Sequence, residues 1–341
     1  MEVKMKRIVI LFVAVMILIF AASCADTENP DVASPSSPEQ SGPMKIGVLN
    51  GPTGLSAIGM YKNNEAGTGM QEYVISFSGA PDELVGKLTS GEVDVAAVPP
   101  NLASIIYNKT GGNIQVLANN AKGVLYIVTN GDIIKRISDL KGKTIFATGQ
   151  GSIPEYVLQF ILEKNGLADD VSVEFKGEHS QLATLVAAGE IEVALLPEPF
   201  VTNVMMKNGD LIKALDITQE WEAACTIAGI ADNQLVMSSI IAKKDYAAKN
   251  RERINIFLDE YSESIQYVNN NPKEAAQYLE EKGLLGMTAA VAEKAIPNSN
   301  MILIRGAEMK KMTNSFLSIM LLANPQSIGG ELPGDDFYYD E

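Results

Sequence analysis

The sequence predicts an α/β protein of two similar lobes, each built on a mainly parallel sheet, with a ligand cleft between them. Three observations carry this. From Lys45 onward, short apolar strands alternate with helical patterns of about ten residues, as in βαβ units. The segment Gly91–Pro99 (GEVDVAAVP) returns at an offset of 98 residues as Gly189–Pro197 (GEIEVALLP). Both copies follow an amphipathic helix, carrying Leu84 and Leu88 in one half and Leu182 and Leu185 in the other. In each copy glycine ends the helix, a short buried strand follows, and proline stops the strand at its carboxyl end. In open α/β sheets that edge is where ligands sit.

The N-terminus is of a different kind. Lys4, Lys6 and Arg7 precede the apolar run Ile8 to Ala22, and Ala21-Ala22-Ser23 lead directly into Cys24. This reads as a signal segment over 1–23. The run is short of the roughly 20 apolar residues a spanning helix needs. Small residues followed at once by cysteine resemble the lipobox of bacterial lipoproteins, which implies cleavage before Cys24 and lipidation of its sulfur. An ordinary secreted protein and an uncleaved anchor are the alternatives. Residues 24–43, rich in Asp, Glu, Ser and Pro, read as a flexible tether.

In the folded body, Lys45–Leu49 is a strand ended by Asn50-Gly51-Pro52, and Glu72–Ser76 is a second strand. Pro81-Asp82-Glu83 opens a helix with the proline and acidic groups its first turn favours. Val93–Val98, Gln115–Ala118 and Val124–Thr129 complete the first series of strands. A second series holds strands at Thr144–Ala147, Val171–Phe175 and Glu192–Leu196. Its helices begin at Ser152 and Ser180, with Ser152 and Glu155 spaced as a capping box. Arg251–Val268 repeats apolar residues at helical spacing, Pro272 opens another helix, and Glu308–Leu322 forms the last. The acidic tail Asp335–Glu341 reads as a surface arm.

Composition excludes several function classes. The 341 residues carry a formal charge of −15, which argues against nucleic acid. One histidine and two cysteines leave no material for a His-rich zinc site or a multi-disulfide scaffold. After cleavage Cys225 is the remaining thiol, expected to be a small buried hydrophobe. No nucleophile elbow, zinc-protease or phosphate-loop motif is present. Neither catalytic residues, nor a metal, nor a cofactor are expected.

GEVDVAAVP and GEIEVALLP resemble the G-x-V-D-x-A motif of bacterial solute-binding proteins of the two-domain, hinge-closing type, the type II periplasmic-binding-protein fold. Ser138–Ser152 (SDLKGKTIFATGQGS) is similar to the segment that begins their second domain. Pro197–Phe200 (PEPF) resembles a variant in the branch for sulfonate, taurine, nitrate and thiamine-pyrimidine precursors. The match spans about Lys45 to Asn324. The resemblance implies a monomeric receptor, lipid-tethered to the membrane through Cys24, that delivers a small-molecule solute to the permease and ATPase of an ABC importer. A sensory or adhesive lipoprotein on the same fold is one alternative. A pyrimidine-synthesising enzyme relative is another, but it would need Cys- and His-rich chemistry. The resemblance also implies two crossings between lobes, placed near Thr129–Arg136 and Gln234–Ala242. Lobe 1 is then 44–130 with 240–341, its C-terminal helices returning to it, and lobe 2 is 131–239.

Four loops are expected to line the cleft. Thr53 and Gly54 belong to the first, where free N–H groups of a helix start suit a polar or anionic group; a plain strand-to-helix turn would look the same. Asn101, past the first repeat strand, stands either as ligand contact or as helix cap. Gly151 and Ser152 form the third loop. Glu198, read as the counterpart of Asn101, is either a carboxylate facing an amine, amidine or hydroxyl, or a solvated first-turn residue. Tyr126, Tyr156, Phe200 and Trp221 could stack on a flat ring or lie in the core. His179, at a strand exit, faces the cleft, lies on the surface or caps a helix. The absence of Lys and Arg from these loops weakens a sulfonate or phosphate as ligand.

Overall fold

The computed structural model describes residues 42–231 and 234–340. The signal segment, Cys24 and the tether as far as residue 41 lie outside the described residues. The chain begins with β1 (Met44–Leu49), α1 (Pro52–Ser56), α2 (Ile58–Ala66), β2 (Tyr73–Ser78), α3 (Pro81–Ser90), β3 (Val95–Val98), α4 (Pro100–Lys109) and β4 (Ile114–Lys122). It continues with β5 (Leu125–Asn130), β6 (Thr144–Ala147), α5 (Ile153–Lys164), β7 (Ser172–Phe175), α6 (His179–Ala187) and β8 (Val193–Pro197). Next come α7 (Phe200–Lys207), β9 (Leu211–Asp216), α8 (Ile217–Ile227), β10 (Val236–Lys243), α9 (Lys244–Lys249) and α10 (Arg251–Asn270). The chain closes with α11 (Pro272–Glu281), α12 (Ala289–Ala295), β11 (Met301–Ile304) and α13 (Gly306–Ala323).

The strands form two sheets of matching order, β2-β1-β3-β10-β4-β11 and β7-β6-β8-β5-β9. In the first, β1 pairs parallel with β2 and β3; in the second, β6 pairs the same way with β7 and β8. An antiparallel strand takes the fourth place in each: β10 between β3 and β4, and β5 between β8 and β9. Each of these strands has just arrived from the other lobe. The crossings therefore fall at Gly123-Val124, and between the end of α8 and the start of β10. Both come earlier than the sequence expectation, which left β5 in lobe 1 and cut β10 in two. The apolar pattern of Val124–Thr129 marks a strand but not its partner, and antiparallel pairing of Leu125 with Pro197 and Thr129 with Val193 decides it.

The repeat owes its form to local chemistry. Pro81 sits in the first turn of α3 with Asp82 and Glu83, and Lys87 lies in its last turn, each on the side the helix dipole favours. Gly91 then takes a left-handed φ of 80° and Gly189 one of 75°, which lets each chain leave its helix without a Cβ clash. The acidic residue of each copy links its strand to the parallel neighbour, β3 to β1 and β8 to the start of β6. The Lys45 N–H donates to Asp94 at 2.9 Å, and Lys143 pairs with Glu192 at 3.3 Å, again 98 residues on.

Three clusters of buried apolar side chains hold the layers. One lies around β1, β3 and β10 under α10; another lies under α6 and α7 on the second sheet. The third spans both sheets and includes Val116, Ile145, Val157, Trp221 and Phe316. On α8, Ile217, Trp221, Ala224 and Cys225 are buried at helical spacing. The Cys225 thiol has its pKa pushed up to about 11 by burial, which keeps it protonated and unreactive.

The tail departs from expectation. Phe337, Tyr338 and Tyr339 are buried, and the Tyr339 N–H donates to the Val116 carbonyl at 2.9 Å. Three aromatic side chains outweigh the acidic groups around them, so the segment packs on the first sheet instead of forming a surface arm. No helix among the described residues is long and apolar enough to cross a membrane.

Candidate functional site

The carboxyl ends of both sheets face a shared cavity of about 310 Å³. Its lining repeats the internal symmetry of the chain. Asn50, Gly51, Gly79, Pro81 and Pro99 from the first half line it, and so do Thr148, Gly149, Gly177, His179 and Pro197, each 98 residues further on. The crossings and the strands beside them complete the lining, with Ala121, Val124 and Leu125 at the first and Met237 and Ser238 at the second.

Of the residues singled out from sequence, Thr53, Ser152, His179, Glu198 and Phe200 line this cavity. The Thr53 hydroxyl is engaged within its own turn: it donates to the Leu49 carbonyl and accepts from the Leu49 N–H at 3.0 Å. Tyr261, held in turn by Asn120, donates to the Thr53 carbonyl at 3.0 Å and fixes the loop from below. Ser152 stands at the start of α5, but its hydroxyl turns back to the Gly149 carbonyl at 2.7 Å. Glu155 accepts from the Gly151 N–H instead of that of Ser152, so the expected capping box does not form. The tight glycine turn, with Gly149 and Gly151 both at left-handed φ, brings these other partners closer.

Gly54, Asn101, Gly151 and Tyr156 lie outside the lining. A Cβ on Gly54 would stand 2.6 Å from the Leu49 carbonyl oxygen and from Leu285 Cδ2, so this glycine serves close packing. Asn101, the second residue of α4, is buried and donates to the Ser327 carbonyl at 3.2 Å, holding the C-terminal turn Pro325–Ile328. It is not the structural counterpart of Glu198. Pro99 and Pro199 accept the equivalent first helical bonds, which places Glu198 one residue ahead of its helix cap and Asn101 inside its own helix. Gly151 is exposed, and Tyr156 packs half-buried against the spanning core. Tyr126 and Trp221 are likewise core residues, with Lys213 4.2 Å above the Tyr126 ring.

Glu198 is the dominant electrostatic feature. It is 1% exposed, and the Thr202 N–H of α7 donates to its Oε2 at 3.1 Å. Burial raises its pKa above the ordinary carboxylate value, against the opposing pull of that hydrogen bond and of Lys213. Beside it, the His179 ring lies 5.2 Å from that of Phe200 and hydrogen-bonds Thr148 through Nδ1. Burial lowers the His179 pKa, with Glu178 pulling the other way, which favours a neutral imidazole. Thr148 does not stand out in the sequence by residue type or local pattern. The 98-residue offset, carried on from Asn50 and Pro81, identifies both Thr148 and His179.

No Lys or Arg lines the cavity among the described residues. The starts of α1, α3, α5, α6 and α7 do, and a helix N-terminus is worth about 0.3–1 kcal/mol to an anion. Pro81 and Pro154 remove one N–H each from that set. An anionic group about 5 Å from ionised Glu198 would meet repulsion of about 3 kcal/mol at an effective dielectric of about 20. Repulsion from the carboxylate therefore outweighs the attraction of any one helix start. The described residues contain no cluster of His, Cys, Asp or Glu able to hold a metal ion.

Paired sheets of one topology, two crossings and a cavity shared by both halves define a two-lobed α/β protein with a cleft between its repeats. Residues 65–293 match the family described as ABC transporter, phosphonate, periplasmic substrate-binding protein. The chain belongs to that family and is the extracytoplasmic substrate-binding component of an ABC transporter for a small solute. Among solved structures, an ABC transporter from Parabacteroides distasonis is similar at 22% identity and TM-score 0.72, over 88% of this chain and 99% of that one. The aliphatic sulphonate binding protein SsuA from Escherichia coli is similar at 16% identity and TM-score 0.64, over 85% and 92%. The nitrate-binding protein NrtA from Synechocystis PCC 6803 follows at 16% and 0.59, over 84% and 83%. At these identities the likeness is one of fold. No curated protein matches the sequence.

Proposed function

We propose that the protein is a lipoprotein receptor, anchored through Cys24, that captures one small organic solute between its lobes and passes it to the permease of its importer. The observation that carries this reading is the cavity lined in register by both halves of the repeat, since a hinge closure would then bring two matched sets of loops onto one ligand. Residues 24–43 serve as the tether and the protein acts as a monomer. The lobes are divided at the two crossings, residues 44–123 with about 236–340 against 124–227. The neighbours named for sulphonate and nitrate, and the family's phosphonate, make small polar solutes the natural range to search.

Native mass spectrometry of the protein isolated from its host should detect one bound small molecule per chain. Ala80, exposed at the cavity rim with an extended backbone, tolerates a large side chain, and Ala80→Trp should abolish that added mass without changing the melting temperature by more than about 1 °C. A chain that carries no solute, or an added mass that persists in Ala80→Trp, refutes the cleft as the capture site.

A further inference from the structure

Resting on the cleft as the solute site, we propose that it selects a planar cationic nitrogen group of the amidinium type, its N–H groups accepted by Glu198 and its face set against the Phe200–His179 pair. Four features of the lining support this class over an oxoanion. The Glu198 carboxylate is almost wholly buried and is hydrogen-bonded by the neutral Thr202, through its N–H to Oε2 and through its side chain. A second carboxylate, Glu178, lines the same cavity, and no Lys or Arg does so among the described residues. A buried carboxylate hydrogen-bonded by a neutral residue is stabilised by a ligand that brings positive charge and in-plane donors.

Ser238 is the third feature. It is 4% exposed, lines the cavity from β10, and its hydroxyl has no hydrogen-bond partner. Buried hydroxyls are rarely left so, and a bound ligand edge supplies the absent partner. The fourth is shape. The His179 and Phe200 rings, tilted by 37°, and the proline side chains of Pro52, Pro81 and Pro99 present flat apolar surfaces. A planar cation over an aromatic face gains further from the ring quadrupole.

The test is calorimetric titration of the purified protein, stripped of co-purified solute, with two probes of similar size and opposite charge, benzamidine and phenylphosphonate. Benzamidine should bind at least tenfold more tightly. Glu198→Gln should weaken benzamidine at least tenfold while leaving the fold as stable or more so, because a buried carboxylate is removed. Ser238→Ala should weaken it severalfold, and Asp82→Asn, exposed in the first turn of α3 and outside the lining, should weaken it less than Glu198→Gln does. Phenylphosphonate binding equally or better, unaltered benzamidine affinity in Glu198→Gln, or no binding by either probe overturns the ligand class. The cleft reading stands or falls separately, on the solute mass lost in Ala80→Trp.

Discussion

Replacing Trp221 with alanine is expected to lower the folding free energy by about 3–5 kcal/mol, the usual cost of emptying a large buried aromatic site. For a body of this size that is a fall of roughly 5–8 °C in melting temperature. Trp221 is 1% exposed on α8, with Phe160 of α5 at 4.9 Å and Phe316 of α13 at 5.8 Å between ring centroids. Its neighbours come from both lobes, because α13 packs on β4 and β10 of the first sheet while α5 and α8 belong to the second. The cavity left by truncation therefore opens at the seam of the two halves, where neither core can collapse alone to fill it. The indole N–H has no hydrogen-bond partner, so Trp221→Phe gives up ring area without breaking a polar contact and should cost well under half as much. Denaturation followed by far-ultraviolet circular dichroism measures both. Equal losses in the two variants, or a loss below about 1 kcal/mol in the alanine form, contradict the assignment of this ring as the packed contact between lobes.

The contrast between what the sequence discloses and what it withholds follows from the range of each interaction. Gly91 and Gly189 are legible because a helix stop is local: a left-handed turn, a helix before it and a strand after it are all encoded within a few residues. The repeat extends that legibility to tertiary structure, since two copies of one motif must build two similar sheets. The placement of β5 is not legible. Its apolar residues suit either sheet, and pairing with β8 depends on residues about 70 positions away. Asn101 misleads for a similar reason. Its position just past a strand suits a ligand contact, but the C-terminal turn reaches it from 226 residues away and takes its amide. Glu198, by contrast, stands out at its strand exit, and the hydrogen bond to its carboxylate comes from Thr202, four residues on, although its N–H donates to the distant Val124 carbonyl. A further signal lies in the full reach of the 98-residue offset, which marks His179 and Thr148 as surely as it marks the second glycine.

Gly123→Ala is expected to be among the most damaging single-methyl changes in the chain, costing about 1–3 kcal/mol or more through overpacking. Gly123 is the residue at which the chain leaves β4 for β5, and a Cβ there would stand 2.1 Å from Thr218 Oγ1, 3.0 Å from Leu235 Cδ2 and 3.1 Å from Thr218 Cβ. Leu235 ends in a flexible side chain and gives way readily. Thr218 does not: it is the second residue of α8, and its N–H is committed to Asp216 Oδ1 at 2.8 Å. Rotation of its side chain moves Oγ1 aside, but relief at the Thr218 Cβ requires the start of α8 to move. That start lies between the crossing and Trp221, so the strain is delivered to the interface on which lobe orientation depends. The Thr218 hydroxyl is buried with no partner, and removing it alone should therefore be close to neutral. In Gly123→Ala/Thr218→Ala the closest clash is gone while the 3.1 Å approach of the Thr218 Cβ remains, so the pair should recover at least half of the stability lost. A double-mutant cycle in chemical denaturant reads this directly, with an expected coupling of about 0.5–3 kcal/mol. Strict additivity would mean that the crossing accommodates a side chain by another route, and that close backbone approach at Gly123 does not set how the two sheets meet.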